Sequence, residues 1–119
     1  MRVLLVDDEQ ELVATLAERL AFRGIDAEWA TSGQKALQRL ADESFDIAVI
    51  DVKMPVMNGF ELKHKMQVLR PELKYIFLTG HGSQQDYLTG QSEAGMDFYL
   101  IKPVDIDILI QKMRETLNK

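Results

Sequence analysis

Short unbroken apolar runs alternate along this chain with stretches whose apolar residues recur three and four positions apart, and few folds accommodate that alternation. The runs are Val3-Leu4-Leu5-Val6, Ile47-Ala48-Val49-Ile50, Tyr75-Ile76-Phe77-Leu78 and Phe98-Tyr99-Leu100-Ile101. Continuous runs this short, rich in β-branched and aromatic residues, read as strands buried on both faces. A fifth segment, Ile25-Asp26-Ala27-Glu28-Trp29, alternates instead, with Ile25, Ala27 and Trp29 expected toward the core and Asp26 and Glu28 toward water. That pattern suits an exposed edge strand. Between the runs lie helical patterns. Residues 9–23 carry Leu12, Val13, Leu16 and Leu20 on one stripe, closed by Gly24. Residues 33–41 repeat Ala36, Leu37 and Leu40, and residues 59–69 repeat Leu62, Met66 and Leu69. The latter are entered through Asn58, with Glu61 three positions on. Residues 106–117 carry Ile106, Leu109, Ile110, Met113 and Leu117. Segment 83–93 is the poorest helix, with few apolar residues and Gly90 inside it. The alternation predicts an α/β (βα)5 fold: a doubly wound, parallel five-stranded sheet with helices on both faces.

Composition narrows the function classes. A chain of 119 residues is expected to form one domain over 1–119, and 46% apolar residues exclude disorder. With no cysteine, neither a disulfide framework nor a thiolate metal site can form. The net charge of −5 offers no general attraction to nucleic acid or an anionic membrane. No apolar run is long enough for a signal peptide or a bilayer span, so a soluble, cytoplasmic chain is expected.

Polar residues gather where the runs end. Asp7, Asp8 and Glu9 follow the first run, Asp51 the third, Thr79 the fourth, and Lys102-Pro103 the last. In a parallel sheet these ends share one edge, where ligands bind at the point of topological reversal. Two carboxylates about 5 Å apart repel by roughly 3 kcal/mol at an effective dielectric near 20. Three carboxylates with one lysine therefore call for protons or a cation. An oxygen-only donor set favours Mg²⁺, with Mn²⁺ as substitute, over Zn²⁺. The ion, Lys102 and Thr79 would then form a receptor for phosphoryl oxygens, with Asp51 as the carboxylate nucleophile.

These motifs resemble the response-regulator receiver domains of two-component signalling. The resemblance covers the whole chain through Val6-Asp7-Asp8-Glu9, Asp51-Val52-Lys53-Met54-Pro55-Val56-Met57-Asn58-Gly59, Thr79-Gly80 and Lys102-Pro103. It implies the flavodoxin-like strand order 2-1-3-4-5 and makes Asp51 the phosphoacceptor. It also implies Mg²⁺ held by Asp8, Asp51 and the backbone carbonyl of Lys53, with Asp7 acting through water. Thr79 and Lys102 would bind the phosphoryl oxygens, Tyr99 would be the aromatic switch residue, and the Lys102-Pro103 bond would be cis. The phosphoryl group would come from a sensor histidine kinase, a phosphotransfer protein or a small phosphodonor. Such a domain catalyses its own phosphorylation and dephosphorylation without being a turnover enzyme. Segment 83–93, the fifth strand and the last helix, with Ile108 exposed, are expected to form the partner or phosphorylation-dependent dimer face. Segment 83–93 is expected to be the element that moves.

Each residue also has a plainer reading. Asp7 and Asp8 suit a helix N-terminus, Asp51 a turn, Lys102 the surface, Thr79 a strand and Tyr99 the core. His64 is expected on a wet helix face beside Lys63 and Lys65, and His81 at most lines the pocket. An aspartyl phosphatase of the haloacid-dehalogenase type would usually carry a second aspartate where Lys53 stands. A flavin module would not place Asp7, Asp8 and Glu9 against a phosphate. A vestigial interaction module is the remaining alternative, and it would be expected to lack the acceptor or the lysine.

Overall fold

Val3, Leu4, Leu5 and Val6 are each no more than 1% exposed, as a strand covered on both faces requires. They belong to β1 (Arg2–Val6) in a computed structural model that describes residues 1–80 and 99–118. The other elements are α1 (Gln10–Phe22), β2 (Asp26–Ala30), α2 (Gly33–Asp42), β3 (Ile47–Asp51), α3 (Gly59–Leu69), β4 (Lys74–Thr79), β5 (Tyr99–Ile101) and α4 (Ile106–Leu117). The predicted helix over 83–93, with Gly90, lies outside the described residues, as does His81.

The five strands form one parallel sheet in the order β2-β1-β3-β4-β5. Side chains alternate between two cores. Leu4, Val6, Ala48, Ile50, Tyr75 and Phe77 pack with Ala36, Leu40, Leu62 and Met66 from α2 and α3. Val3, Leu5, Ile47, Val49, Ile76 and Leu78 pack with Val13, Leu20, Leu109 and Met113 from α1 and α4. The register sets Val6 beside Ile50, Asp51 beside Leu78 and Thr79 beside Ile101, so the ends of four strands lie level.

Local chemistry explains the element ends. Gly24 takes φ +79° and its N–H donates to Ala21 O at 3.0 Å, closing α1 in the left-handed region where glycine carries no Cβ penalty. Asn58 and Glu61 form the capping box at the start of α3. At the opposite edge of the sheet, Arg2 pairs with Asp26 at 2.8 Å and Glu43 at 3.0 Å, and its guanidinium lies 4.8 Å over the Phe45 ring. No helix among the described residues is long and apolar enough to cross a membrane.

Four expectations need correction. The last apolar run is not covered on both faces, because β5 is an edge strand of the sheet and Ile101 is 60% exposed. Leu12 is 42% exposed, and Ala17 joins Val13 and Leu20 on the buried stripe of α1 in its place. Leu69 is 45% exposed, and Met66 is the last buried residue of α3. Lys63 is not on a wet face: it is 9% exposed, its ammonium 5.8 Å from the Tyr75 ring centre, while His64 beside it is exposed as expected. A lysine stem buries its methylenes readily when its head finds an aromatic face. In β2, Ile25 is buried just before the strand begins, and Ala27 and Trp29 are half-buried, as an edge position allows.

Candidate functional site

The ends of β1, β3, β4 and β5 deliver the groups of the site. β1 hands over directly to Asp7, which is 4% exposed, and Asp8, which faces solvent. Asp51 is the last residue of β3 and Thr79 the last of β4, at 5% and 0% exposed. Lys102 follows β5, and its N–H donates to Thr79 O at 2.6 Å, which fixes where its side chain starts. Its ammonium reaches Asp7 Oδ2 at 2.5 Å and Asp51 Oδ1 at 3.6 Å. Carboxylate oxygens of Asp7, Asp8 and Asp51 lie within 4.8 Å of one another. Asp7 also accepts the Glu9 N–H at 3.0 Å, which orients its second oxygen. The Lys102–Pro103 peptide is cis.

The electrostatics are those of an undercompensated acidic pocket. Burial, helped by the charges of Asp7 and Asp8, pushes the Asp51 carboxyl up to about 6, against the opposing pull of Lys102 and the Lys53 N–H. Burial works against the charge on Lys102, but its hydrogen bond to Asp7 and the charges of Asp51, Asp7 and Glu9 outweigh it and raise its pKa. Lys102 is therefore held as an ammonium. The Thr79 hydroxyl is fully buried and finds no hydrogen-bond partner among the described residues. A buried hydroxyl normally has one, so this group is able to donate to an oxygen that enters the pocket. Tyr99 is 5% exposed and sits in the core cluster with Phe77 and Met54.

The loop that follows Asp51 is held at several points. Val52 N–H donates to Leu78 O at 2.8 Å, and Met54 is buried in the core beneath. The exposed Val56 takes φ +70°, a strained value for a β-branched residue. Gly59, which the sequence marks only as the end of a motif, closes the loop by backbone contact. A Cβ there would lie 2.6 Å from Asp51 O and 3.0 Å from Val52 Cα, and the Gly59 N–H donates to Val52 O at 2.9 Å. A glycine opening a helix directly after an asparagine cap was the available signal, since helix propensity alone disfavours it. The Lys53 side chain is exposed, on a residue whose N–H faces Asp51.

The raised Asp51 pKa has a consequence for stability. Its folded value, about 6, exceeds the ordinary 3.8, so the folded state holds this proton more tightly than the unfolded chain does. The contribution is complete below about pH 4 and is lost as pH rises through 6. Asp51→Asn removes the loss. In metal-free buffer at pH 7 the variant is expected to exceed the parent by on the order of 1–2 kcal/mol, the full shift being discounted for solvent screening. The gap should close toward pH 4 in urea titrations; a gap independent of pH contradicts the assignment.

Comparison with known proteins agrees with this geometry. The family described as "Response regulator receiver domain" matches residues 3–114. The response regulator MprA of Mycobacterium avium (strain 104) is 34% identical over all 119 residues, which cover 52% of that protein. The chain thus spans about half the length of the curated relatives it matches. Among solved structures, a CheY-like receiver domain protein from Methanospirillum hungatei JF-1 superposes with a TM-score of 0.87 at 35% identity, over 98% of this chain and 93% of that one. A receiver domain from Clostridium thermocellum gives 0.87 at 27% identity, over 98% and 94%. Sheet order, acidic strand-end cluster and family match coincide, and the chain belongs to the response-regulator receiver domains of two-component signalling.

Proposed function

We propose that residues 1–119 act as one phosphoacceptor receiver domain in which Asp51 takes a phosphoryl group from a sensor histidine kinase, a phosphotransfer protein or a small phosphodonor. The observation that carries this reading is the convergence, at adjoining strand ends, of a buried Asp51 carboxylate, the Lys102 ammonium 3.6 Å from it and the buried Thr79 hydroxyl, which has no hydrogen-bond partner among the described residues. Asp51 Oδ attacks phosphorus in its ionised form, and the bond from phosphorus to the donor's imidazole nitrogen or acyl oxygen breaks as the donor leaves with its electron pair. Lys102 pairs with one phosphoryl oxygen and Thr79 donates its hydroxyl to another. Asp7 keeps Lys102 charged and aimed throughout.

The all-oxygen donor set and its excess negative charge fit a hard divalent ion, and Asp7, Asp8, Asp51 and the Lys53 carbonyl would hold Mg²⁺ or, in its place, Mn²⁺. Once bound, it offsets carboxylate repulsion and the charge of the incoming phosphoryl group. The phosphatase reading lacks its second acid, since Lys53 occupies that position. A vestigial module would lack the acceptor or the lysine, and both are in place. Tyr99 is proposed as the residue that follows Thr79 when the site is occupied. Ile101 and Ile108, 60% and 48% exposed, support a partner or dimer face on β5 and α4. A cytoplasmic location completes the proposal.

Acetyl phosphate with Mg²⁺ should add one phosphoryl group to the intact protein, and Asp51→Asn should add none. An adduct of undiminished yield in the variant would refute the assignment.

A further inference from the structure

We propose that Met57 is an oxidation site that latches the acceptor loop: a peroxide converts its thioether to the sulfoxide, and the loop loses its seat on Gly33 and much of its Mg²⁺ affinity. The inference rests on the receiver reading for its metal readout. It starts from how loop 52–58 is anchored. Its start and end are fixed by backbone contacts at Val52 and Gly59, and Met54 is buried below it. Met57 supplies the link to α2. A Cβ built on Gly33, the first residue of α2, would stand 2.7 Å from Met57 Sδ, so the sulfur rests directly on the glycine backbone. Gly33 is buried there, and Met57 packs on the same core cluster as Leu37 of α2.

Accessibility separates this sulfur from the buried methionines of the core; Met1, 41% exposed, sits at the start of β1 away from loop 52–58, and Met96 lies outside the described residues. Met66 and Met113 are fully buried and Met54 is 9% exposed, whereas Met57 is half-buried and its neighbour Val56 wholly exposed. The chain has no cysteine, so no thiol of its own competes for the oxidant. In the reaction a sulfur lone pair attacks one peroxide oxygen, the O–O bond breaks, an S–O bond forms and water leaves. The product is polar and bulkier at the atom that touches Gly33. The sulfur sits at the end of a flexible side chain, so once polar it leaves the Gly33 backbone for water, and the loop bearing the Lys53 carbonyl is released from α2.

The test treats the metal-free protein with hydrogen peroxide, maps sulfoxides by peptide mass spectrometry, and titrates Mg²⁺ by thermal shift. Met57 should oxidise before Met54, Met66 and Met113. Its oxidation should weaken the Mg²⁺ midpoint roughly tenfold, in the range seen when groups supporting a metal ligand are lost. A methionine sulfoxide reductase should restore it. Met57→Leu should keep the untreated midpoint and resist peroxide, and Met57→Gln should show the weakened midpoint without it. An unchanged midpoint with Met57 fully oxidised, or an equal loss in Met57→Leu, overturns the proposal. If the untreated protein shows no Mg²⁺ response at all, the receiver reading fails instead.

Discussion

Lys102→Met is expected to cost about 3 kcal/mol in metal-free buffer at pH 8, near the lower end for breaking a buried ion pair. The variant keeps most of the apolar stem but removes the ammonium that lies 2.5 Å from Asp7 and 3.6 Å from Asp51. Carboxylates within 4.8 Å of one another then face each other without it. The loss should be conditional. Lys102 is what holds the already raised Asp51 pKa down, so its removal sends that pKa further up. The variant's folded state binds the proton more tightly still, and its deficit must shrink as pH falls toward 5. Mg²⁺ should restore part of the deficit at pH 8, since an ion that binds only the folded state stabilises it by mass action. Urea titrations at the two pH values, with and without Mg²⁺, read all three effects. A deficit indifferent to pH and Mg²⁺ would mean that Lys102 acts through packing alone.

The parts of this molecule that were legible in sequence are those fixed by period and by strand direction. Val3–Val6 and Ile47–Ile50 read as doubly covered strands and are buried as such, and a parallel sheet then carries Asp7, Asp51, Thr79 and Lys102 to one edge. Helical periodicity gives the direction of a side chain but not how closely its helix approaches the sheet. That is why Leu12 and Leu69, on nominal apolar stripes, are exposed. Lys63 is buried because the Tyr75 ring on another element receives its head, a tertiary fact with no local signature. Asp7 and Asp8 are indistinguishable as neighbours in a loop, yet one is buried against Lys102 and the other faces water. The seats of Gly59 on Asp51 and of Met57 on Gly33 join residues of different elements, and the residues alone do not announce them.

Gly59→Ala should have the largest effect of any single added methyl group at the site, costing roughly 2–3 kcal/mol through overpacking. The new Cβ would lie 2.6 Å from Asp51 O, 3.0 Å from Val52 Cα and 3.0 Å from Ile50 Cγ2. Two of these are backbone atoms of the strand end and its exit, and backbone cannot turn aside as a side chain can. Alanine's better helix propensity returns about 1 kcal/mol at most, which does not reverse the sign. Relief therefore requires α3 to back away from β3, stretching the 2.9 Å bond from Gly59 N–H to Val52 O. That movement acts on Asp51 itself, since the clash falls on its own carbonyl. A misplacement near 1 Å at a reacting group can cost on the order of a hundredfold in rate. Phosphorylation by acetyl phosphate should slow by tenfold or more even where the variant remains folded, on the same argument. Denaturant titration and intact-mass kinetics on one sample separate the two effects. An alanine variant with parental stability and rate would show that the acceptor strand is not seated on α3 in this way.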